Sequence, residues 1–538
     1  MTSDRPFGQR ARRAAHTSAT FASVGVRLAV AAVGLTLGGS LAVEAVPAAA
    51  ATCSSSVRGD VNGDGHAELA VGEPGNHNGA GAVHVLYGTG AGLVADASGT
   101  ARNDQYVDQD TTGVPGSSEK GDGFATAVVF GDFNGDGCSD LVISAPGENR
   151  LAGSITVLYG SRSGLGTLGA QRISAPTSGE QVQLFGTHLA VGDLNGDGLD
   201  DLAATGRNRQ SARGAVVVMY GDATGLDRGA DRPVVIRGDS AGVGVEPIGF
   251  ASGVAVGDFD GNGRNELAVG QSAADDEGQV AVLQPRAGRF VRSASVTLRS
   301  PGVPATGQRY EGFGEQLAVG DADADGRDEL AVGVYRPLCG SDCEDSFPAP
   351  PETGDGAVAV FHGAAAGLSG RDAQLWTQDS PGVVGTSNRD GFGAAVAFGR
   401  LDAGGTDDLL VGAPFDDVSG HADAGSVTVL LGSARGLTTA GTGGSSVSQN
   451  TAGVAGNAEK GDRFGSSLTT VDLGAAQAAA VIGVPDESVG TKAAVGQVHQ
   501  LALGAGGPRT TGSRAFNPDT IGVQGLAESG DAFGRSLS

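Results

Sequence analysis

The stretch Gly131-Asp132-Phe133-Asn134-Gly135-Asp136-Gly137-Cys138-Ser139-Asp140-Leu141 decides how the whole chain is interpreted. Counted from its first aspartate, oxygen-bearing side chains fall at loop positions one, three, five and nine. This spacing suits a hard cation held by about seven oxygen ligands. The glycines between these positions allow the positive φ angles that bend a backbone around an ion. The stretch therefore predicts a cation-binding loop.

The loop recurs four more times with its polar residues intact. The copies are GDVNGDGHAEL from Gly59, GDLNGDGLDDL from Gly192, GDFDGNGRNEL from Gly257 and GDADADGRDEL from Gly320. An EF-hand loop requires a glutamate at position twelve. Here that position holds Val71, Ile143, Ala204, Val269 and Val332, which argues against an EF-hand.

Two further copies have lost ligands, and we expect no ion in either. The copy between Gly399 and Leu409 retains Asp402, Asp407 and Asp408. The copy after Asp472 retains none of the later ligands. A plain hairpin turn is sufficient for both.

The flanks of the loops repeat as well. Phe followed by Gly or Ala precedes each apolar run, and this element occurs seven times, at Phe124, Phe185, Phe250, Phe313, Phe392, Phe464 and Phe533. Three more short apolar runs follow in each unit, separated by glycines, which make up 94 of the 538 residues. Four short strands per unit are typical of a β-propeller blade. We predict an all-β fold, a seven-bladed β-propeller of four-stranded antiparallel blades.

The two ends of the mature chain predict how the ring closes. The chain ends on Phe533 to Ser538, the strand expected before a loop, and its mature part opens almost directly on such a loop. The C-terminal strand would therefore complete the first blade and remove an open sheet edge. The segment from Thr52 to Arg58 is the alternative source of that strand.

Residues 1–51 have the features of a signal peptide, and residues 52–538 then form the propeller. A basic start, an apolar stretch from Leu28 to Val43 and a small-residue segment from Val46 to Ala51 follow one another. An uncleaved membrane anchor is the alternative. Because no later apolar run is long enough to cross a bilayer, we expect a secreted, extracellular protein without a membrane span after cleavage.

The net charge of the chain excludes some classes of binding partner. The formal net charge of −26 disfavours binding to nucleic acid and to anionic lipid.

Four cysteines in a secreted chain favour disulfides. We expect Cys339 to pair with Cys343 inside one loop, and Cys53 with Cys138, which ties the mature N-terminus to the second loop. Lipidation of Cys53 is the alternative.

Phe-Gly, a DxNGDGxxD loop and Gly-Ala-Pro occur in the order that is typical of one repeat family. The chain resembles the FG-GAP repeat of the integrin α-subunit N-terminal propeller, also found in bacterial secreted proteins and in a glycosylphosphatidylinositol-specific phospholipase D. The resemblance covers nearly the whole mature chain. It implies Ca²⁺ in the hairpin between the first two strands of a blade, and ligand binding on the opposite face. The intact loops lie in the first five units here, whereas integrins keep theirs in later blades.

By this resemblance, five loops each hold one Ca²⁺ through four side chains and the carbonyl at position seven. The five sets are Asp60, Asn62, Asp64, Glu68 and the His66 carbonyl; Asp132, Asn134, Asp136, Asp140 and the Cys138 carbonyl; Asp193, Asn195, Asp197, Asp201 and the Leu199 carbonyl; Asp258, Asp260, Asn262, Glu266 and the Arg264 carbonyl; and Asp321, Asp323, Asp325, Glu329 and the Arg327 carbonyl. The fifth set has four carboxylates and should bind calcium most tightly.

Other motifs in the chain have simpler interpretations. Arg58-Gly59-Asp60 spells an adhesion tripeptide, but Asp60 is better explained as the first ligand of the first loop. The nucleophile-elbow pattern at Gly238 to Gly242 aligns with Gln378 to Val383, so it is a repeated turn. We predict no catalytic residue and no enzyme activity. A long insertion from Tyr335 to Asp355 would lie on the ligand-facing side.

The sequence therefore favours a calcium-binding adhesion or recognition module without catalysis. We expect a monomer whose ligand is an extracellular protein or glycan that the sequence does not identify. One alternative is an accessory or substrate-binding module of an extracellular hydrolase, which the phospholipase resemblance allows. The other is a carbohydrate-binding propeller, which is weakened by the presence of a single Trp and six Tyr to stack on sugars.

Overall fold

The computed structural model describes a fold made almost wholly of short β-strands. It describes residues 53, 55, 57–94, 104–176, 182–208, 211–240, 242–246, 248–272, 278–304, 312–334, 356–474, 478–502, 504 and 507–538. The predicted signal peptide, the Cys339–Cys343 pair and the Tyr335–Asp355 insertion lie outside these residues. Among the residues described, no helix is both long enough and apolar enough to cross a membrane.

Twenty-eight strands and two single-turn helices occur along the described chain. The first half contains β1 (Leu69–Glu73), α1 (Asn76–Gly79), β2 (Ala82–Leu86), β3 (Gln105–Val107), β4 (Val128–Gly131), β5 (Asp140–Ala145), α2 (Glu148–Leu151), β6 (Ser154–Tyr159), β7 (Gly166–Ser174), β8 (Leu189–Gly192), β9 (Asp201–Arg207), β10 (Gly214–Met219), β11 (Val234–Arg237), β12 (Phe250–Gly257), β13 (Glu266–Gln271), β14 (Gln279–Arg286) and β15 (Arg289–Val296). The second half contains β16 (Gln316–Gly320), β17 (Glu329–Val334), β18 (Ala357–Phe361), β19 (Gln374–Trp376), β20 (Ala395–Gly399), β21 (Asp408–Ala413), β22 (Ser426–Leu430), β23 (Ser445–Val447), β24 (Ser467–Asp472), β25 (Ala478–Val484), β26 (Gln497–Ala502), β27 (Arg509–Phe516) and β28 (Ser536–Leu537).

These strands form seven antiparallel sheets of four strands, which are the blades of a propeller. Six blades use four consecutive strands each, beginning with β4, β8, β12, β16, β20 and β24. Blade 1 has the order β28-β1-β2-β3. The seven-bladed ring predicted from the repeat count is therefore confirmed. We number the strands of every blade from 1 to 4 in the order of the sheet, so that strand 1 is β28 in blade 1 and the strand before the loop in the other blades.

The residue types of each strand explain its place in the blade. Strands 2 and 3 of blade 1, LAVGE and AVHVL, are buried along their whole length. Such near-continuous small and β-branched runs suit strands that are covered on both faces. Strand 4 of blade 2, Gly166–Ser174, is mostly half-buried or exposed. The outer strand therefore faces solvent.

The hydrophobic core lies between the blades. Among the described residues, seven apolar clusters each join one blade to the next. The seven repeated phenylalanines are at most 2% exposed and belong to these clusters or lie against them. The Phe-Gly element is therefore a packing element that fills the seam where one blade begins.

The residue before strand 3 must be a glycine because the next blade packs directly against it. Gly81 has a φ of +90° and forms a parallel bridge to Phe124 of the next blade. A Cβ atom at Gly81 would overlap the backbone of Phe124. The recurring Gly that precedes strand 3 thus lets neighbouring blades approach closely.

The C-terminal strand closes the ring, as predicted. Leu537 pairs with Val71, and Ser536 with Gly72, in antiparallel register. The Ser538 backbone exchanges two hydrogen bonds with Ala70, of 2.9 and 3.1 Å. The residues between Cys53 and Arg58 that the structure describes form no strand, so the alternative closure from Thr52 to Arg58 is wrong.

A disulfide joins Cys53 to Cys138, with Cα atoms 5.0 Å apart and a sequence separation of 85. This pairing was predicted. The Cys53 backbone N–H also donates to the Asp136 carbonyl at 2.9 Å. The start of the propeller is therefore fastened to the second loop.

Replacing both Cys53 and Cys138 by serine is expected to destabilise the propeller by about 4 kcal/mol, because the cross-link restricts a long loop in the unfolded chain. Chemical denaturation would measure the loss. The oxidised wild-type protein should also unfold at lower denaturant concentration after dithiothreitol treatment. Equal midpoints for the wild type and the double variant would contradict this expectation.

Candidate metal sites

Four of the five intact loops connect strands 1 and 2 of their blades, and the first loop directly precedes strand 2 of blade 1. The second loop, for example, joins the end of β4 to the start of β5 at Asp140. Because every blade has the same strand order, the topology places the five loops at the same end of the strands. The strand 2–3 connections emerge at the other end.

The first aspartate of each loop holds the turn together through backbone N–H groups. Asp60 Oδ1 accepts from Gly63 at 2.7 Å, and its Oδ2 accepts from Gly65 at 2.8 Å. The position-six N–H makes the same bond to the first aspartate in the other four loops. These position-six glycines have φ between +80° and +90°, a region that residues with a Cβ rarely adopt. Hydrogen bonds from backbone N–H groups to the carboxylate of the first aspartate therefore fix the shape of each loop.

Three of the five loops bring three carboxylates together. Among the described residues, one oxygen from each member lies within 4.8 Å of the others in three sets, Asp60, Asp64 and Glu68; Asp258, Asp260 and Glu266; and Asp321, Asp323 and Asp325. Clustered carboxylate oxygens are the ligands that Ca²⁺ prefers. The donor sets of the first, fourth and fifth loops therefore fit a calcium ion.

The second and third loops have the shorter aspartate at position nine, and it accepts the position-two N–H as the glutamates of the other three loops do. Asp140 accepts hydrogen bonds from the N–H groups of Phe133, at 3.1 Å, and Gly160, at 2.8 Å. Asp201 makes the corresponding bonds to Leu194 and Gly221. Within the described residues, these two loops do not gather three carboxylates within 4.8 Å. Their predicted ligands remain predictions.

The sixth loop shows that position nine also has a structural role. Asp408 makes the same two bonds, from Leu401 N–H and from Gly432 N–H, each 2.8 Å long. This loop has lost most of its ligands. The position-nine carboxylate therefore joins the loop to the end of strand 3 whether or not an ion is bound, which explains why Asp408 persists.

The aspartate at position eight, outside the predicted ligand sets, links three of the loops to the loop of the preceding blade. Asp132 N–H donates to Asp200 Oδ2 at 3.0 Å, and Asp200 N–H donates back to the Asp132 carbonyl at 3.1 Å. The pairs Asp258–Asp328 and Asp321–Asp407 repeat this exchange. The sequence signal was the aspartate at position eight in these three loops. Asp407 of the sixth loop is therefore explained by its bonds to Asp321.

Burial and neighbouring negative charge disfavour the ionised carboxylates at position nine. Desolvation, followed by repulsion from loop aspartates, raises the pKa of Glu68 to about 9 and the pKa of Asp140 to about 8. The same causes raise the pKa values of Asp201 and Glu266 to about 7. Without a cation, the protein bears a free-energy cost for keeping these groups charged at neutral pH.

Calcium-depleted protein is expected to melt at a lower temperature at about pH 8 than at about pH 5. In this interval the folded state binds more protons than the unfolded state, because the folded pKa values are raised, so stability falls as pH rises. A bound divalent cation favours the ionised form and should flatten the dependence. Thermal melting across this range, with and without calcium, measures the difference. A depleted protein that gains stability towards pH 8 would contradict it.

The structure also places the two other motifs. Asp60 of the Arg58-Gly59-Asp60 tripeptide is fully buried, and Arg58 forms an ion pair with Asp200 at 3.2 Å. Ser240 Oγ accepts a 2.9 Å hydrogen bond from Arg237 N–H. Residues at the equivalent place in five other linkers make the same bond, namely Thr111, Ser300, Ser380, Thr451 and Thr520. The Ser240 segment is therefore the repeated turn between blades.

One side chain outside the predicted ligand sets faces the fifth loop. His362 Nδ1 lies 3.5 Å from Glu329 Oε1 and 3.7 Å from Asp323 Oδ2. His362 follows strand 3 of blade 5 and stands outside the loop motif, so motif spacing did not indicate it.

Four segments of the chain match the family model described as FG-GAP repeat, at residues 54–86, 124–158, 185–219 and 250–283. Each segment contains one of the first four intact loops. Together with the seven-bladed ring, these matches make the chain an integrin-like FG-GAP propeller.

The relatives are similar to part of the chain. Integrin alpha-4 of Xenopus laevis is 29% identical over 161 residues, which cover 30% of this chain and 15% of the integrin. Phosphatidylinositol-glycan-specific phospholipase D of Rattus norvegicus is 33% identical over 174 residues, which cover 30% of this chain and 19% of that protein. The matched segment thus spans less than a fifth of either relative. Among solved structures, the rhamnogalacturonan lyase YesW has 14% identity and a TM-score of 0.33, over 72% of this chain and 69% of that chain.

Proposed function

We propose that the protein is a secreted, calcium-stabilised recognition module that binds an extracellular protein or glycan and performs no catalysis itself. The observation that supports this most is the segregation of the two faces. All five intact loops lie at one end of the strands, so the other end is free to contact a partner.

Calcium would act on the loop face as a structural ion. The carboxylates of the first, fourth and fifth loops fit it best, and the second and third loops would complete five sites. The ion supplies positive charge that compensates crowded carboxylates. Because loop backbones bond to one another across blades, an ion in one loop would also stabilise the neighbouring seam.

Secretion is supported by the disulfide. Cys53 and Cys138 are largely or fully buried and joined, and such cross-links persist mainly in oxidising, extracellular compartments. The predicted signal peptide points the same way. The pairing of Cys53 also favours a disulfide over lipidation at this residue.

The face opposite the loops presents exposed, conformationally constrained residues. In blade 1, Asn78 has a φ of +62° in the strand 2–3 connection, and in blade 2 Arg150 has a φ of +61° in the same place. Both side chains are exposed. Loops held in one unusual conformation on a rigid scaffold are suited to binding.

Labelled protein should bind saturably to the surface of the producing cells or to their extracellular material. The variant Arg150→Asn, whose new residue tolerates a positive φ, should reduce that binding. The control Arg289→Ala removes an exposed arginine from the strand 3–4 turn on the loop face and should leave it unchanged. Loss of binding in the control alone would contradict the proposed face.

Similarity to the phospholipase supports a second candidate, an accessory or substrate-binding module of an extracellular hydrolase. That relative is 33% identical over the matched segment. The purified protein should then increase the activity of a separate hydrolase on its substrate without hydrolysing any ester or glycan alone. Hydrolysis by the pure protein would overturn the non-catalytic proposal.

Asp323→Ala is expected to lower calcium affinity at its loop by about tenfold, whereas Asn134→Ala should have a smaller effect, because calcium affinity follows ligand charge. Asp323 belongs to a set of three clustered carboxylates. Asn134 contributes a neutral oxygen that also accepts the Asp136 N–H at 2.9 Å. Calorimetric titration of both variants, in buffer free of other metals, would compare them. The opposite order would contradict the assignment.

A further inference from the structure

One position at the end of strand 3 distinguishes blade 5 from the blades before it. Blades 1, 2 and 3 have Tyr87, Tyr159 and Tyr220 at this position, and blade 5 has His362. The register of the strands makes the four positions equivalent. An imidazole therefore replaces a phenol beside the loop that has the most carboxylates.

The tyrosine hydroxyl connects its blade to the next blade, and in blade 5 a glutamine makes this connection alone. Tyr159 Oη donates to Gln171 Oε1 at 2.7 Å and accepts from Leu226 N–H of the next blade at 3.1 Å. In blade 5 the equivalent glutamine, Gln374, accepts directly from Leu437 N–H at 2.8 Å and donates to its carbonyl. The seam to blade 6 is therefore complete without the residue at position 362.

His362 turns towards the loop instead. Its Nδ1 lies 3.5 Å from Glu329 Oε1 and 3.7 Å from Asp323 Oδ2. The side chain of Glu329 is 1% exposed, and those of His362 and Asp323 are 16% and 20% exposed. One donor atom of each of the three residues lies within 4.8 Å of the others. The three form a cluster that is sheltered yet open to an entering ion.

Blade 4 shows that this position reaches into the loop. Gln284 stands at the equivalent place, and its Nε2 donates to Asp260 Oδ2 at 3.1 Å. Asp260 occupies loop position three, as Asp323 does in blade 5. An amide N–H group is not a metal ligand, whereas a neutral imidazole nitrogen is. At this position, therefore, blade 5 offers a nitrogen that can bind a metal ion and blade 4 does not.

We propose that the fifth loop, unlike the other four, is a mixed nitrogen–oxygen site that binds a first-row divalent transition ion such as Zn²⁺ through His362, Glu329 and Asp323. The inference rests on the proposed cation-binding role of this loop. Without zinc the fifth loop would hold calcium through its carboxylates, as the other four do; with zinc bound, Asp321 and Asp325 would complete the oxygen shell.

The ligand chemistry fits this assignment, and the distances lie at the upper end of those that it requires. Zinc takes imidazole nitrogen and carboxylate oxygen at roughly 2.0–2.2 Å, so two ligands on one ion stand about 3–3.6 Å apart. The two separations from His362 Nδ1 are 3.5 and 3.7 Å. Calcium binds oxygen ligands, whereas imidazole suits zinc, copper, iron and nickel. His362 therefore shifts the metal preference of the fifth loop from calcium towards zinc and similar ions.

Metal-free full-length mature protein would be titrated with Zn²⁺ alone by calorimetry, and with Co²⁺ while its visible absorption is recorded. We expect one tight Zn²⁺ site per chain. His362→Tyr, the residue of blades 1 to 3, and His362→Gln, the residue of blade 4, should each weaken Zn²⁺ binding by more than about tenfold and alter the Co²⁺ spectrum. The control His421→Tyr removes an exposed histidine of blade 6 and should change neither.

A gain-of-site variant gives the converse test. Gln284→His places an imidazole beside Asp260 and Glu266, and should create a second Zn²⁺ site. Calcium titrations of the same variants separate the two proposals. Calcium binding with equal zinc affinity in the wild type and both His362 variants would overturn the inference and leave the calcium proposal standing. Zinc binding that depends on His362, without calcium binding at any loop, would overturn the calcium proposal alone.

Discussion

Removal of calcium is expected to lower the melting temperature of the propeller by roughly 8 °C if only three sites are filled, and more with five. A ligand at a hundred times its dissociation constant stabilises the folded state by about 2.7 kcal/mol per site, or about 8 kcal/mol for three independent sites. The unfolding entropy of a ring of this length is about 1 kcal/mol per kelvin. The first, fourth and fifth loops supply the three sites, since each gathers three carboxylates.

The blade-to-blade bonds should make this loss cooperative. The backbones of Asp132, Asp258 and Asp321 are each bonded to position eight of the next loop. A loop that opens without its ion therefore weakens the neighbouring seam.

Melting in chelator and in excess calcium would measure the shift. The control Asp402→Asn, in the sixth loop, should not change it, because no ion is expected there. An unchanged midpoint on chelation of the wild type would contradict the five-site assignment.

Deletion of Ser536, Leu537 and Ser538 is expected to cost about 4 kcal/mol or more, because about four hydrogen bonds of about 1 kcal/mol each are lost. The deletion also exposes the edge of β1. Ser536 Oγ donates to the Ala125 carbonyl at 2.8 Å, and Phe130 N–H donates to Ser538 Oγ at 3.2 Å. The tail thus holds blade 2 as well as blade 1. An open, apolar strand edge invites pairing with other chains.

Thermal melting and size-exclusion chromatography of the truncated protein would detect both effects, as a lower midpoint and as larger species. Addition of two polar residues after Ser538 is the control, and it should leave the midpoint nearly unchanged because the strand remains. Equal stability of the truncated and full-length proteins would show that another segment closes the ring.

Much of the fold was predictable because each blade is encoded by local signals. The seven phenylalanines that counted the blades are all buried at seams. The C-terminal strand takes the place expected from the incomplete first unit, and Cys53 pairs with Cys138. The one alternative that failed was closure from Thr52 to Arg58.

The candidate sites were less predictable, because identical motifs differ in what surrounds them. The motif placed ligands in all five loops, yet Glu68 lies in a set of three carboxylates within 4.8 Å and Asp140 does not, although both accept the N–H of loop position two. One methylene separates these side chains. Motif spacing does not reveal how closely the carboxylates of one loop approach each other.

The sequence by itself determined the number of blades, the closure of the ring and the position of the loops. These features follow from strand alternation and turn residues that lie close together in the chain. Only the tertiary structure decided how the loops meet. Asp321 bonds to Asp407, 86 residues away, and His362 faces Glu329 from a different strand. Such contacts arise when packed blades bring distant residues together, and no local pattern encodes them.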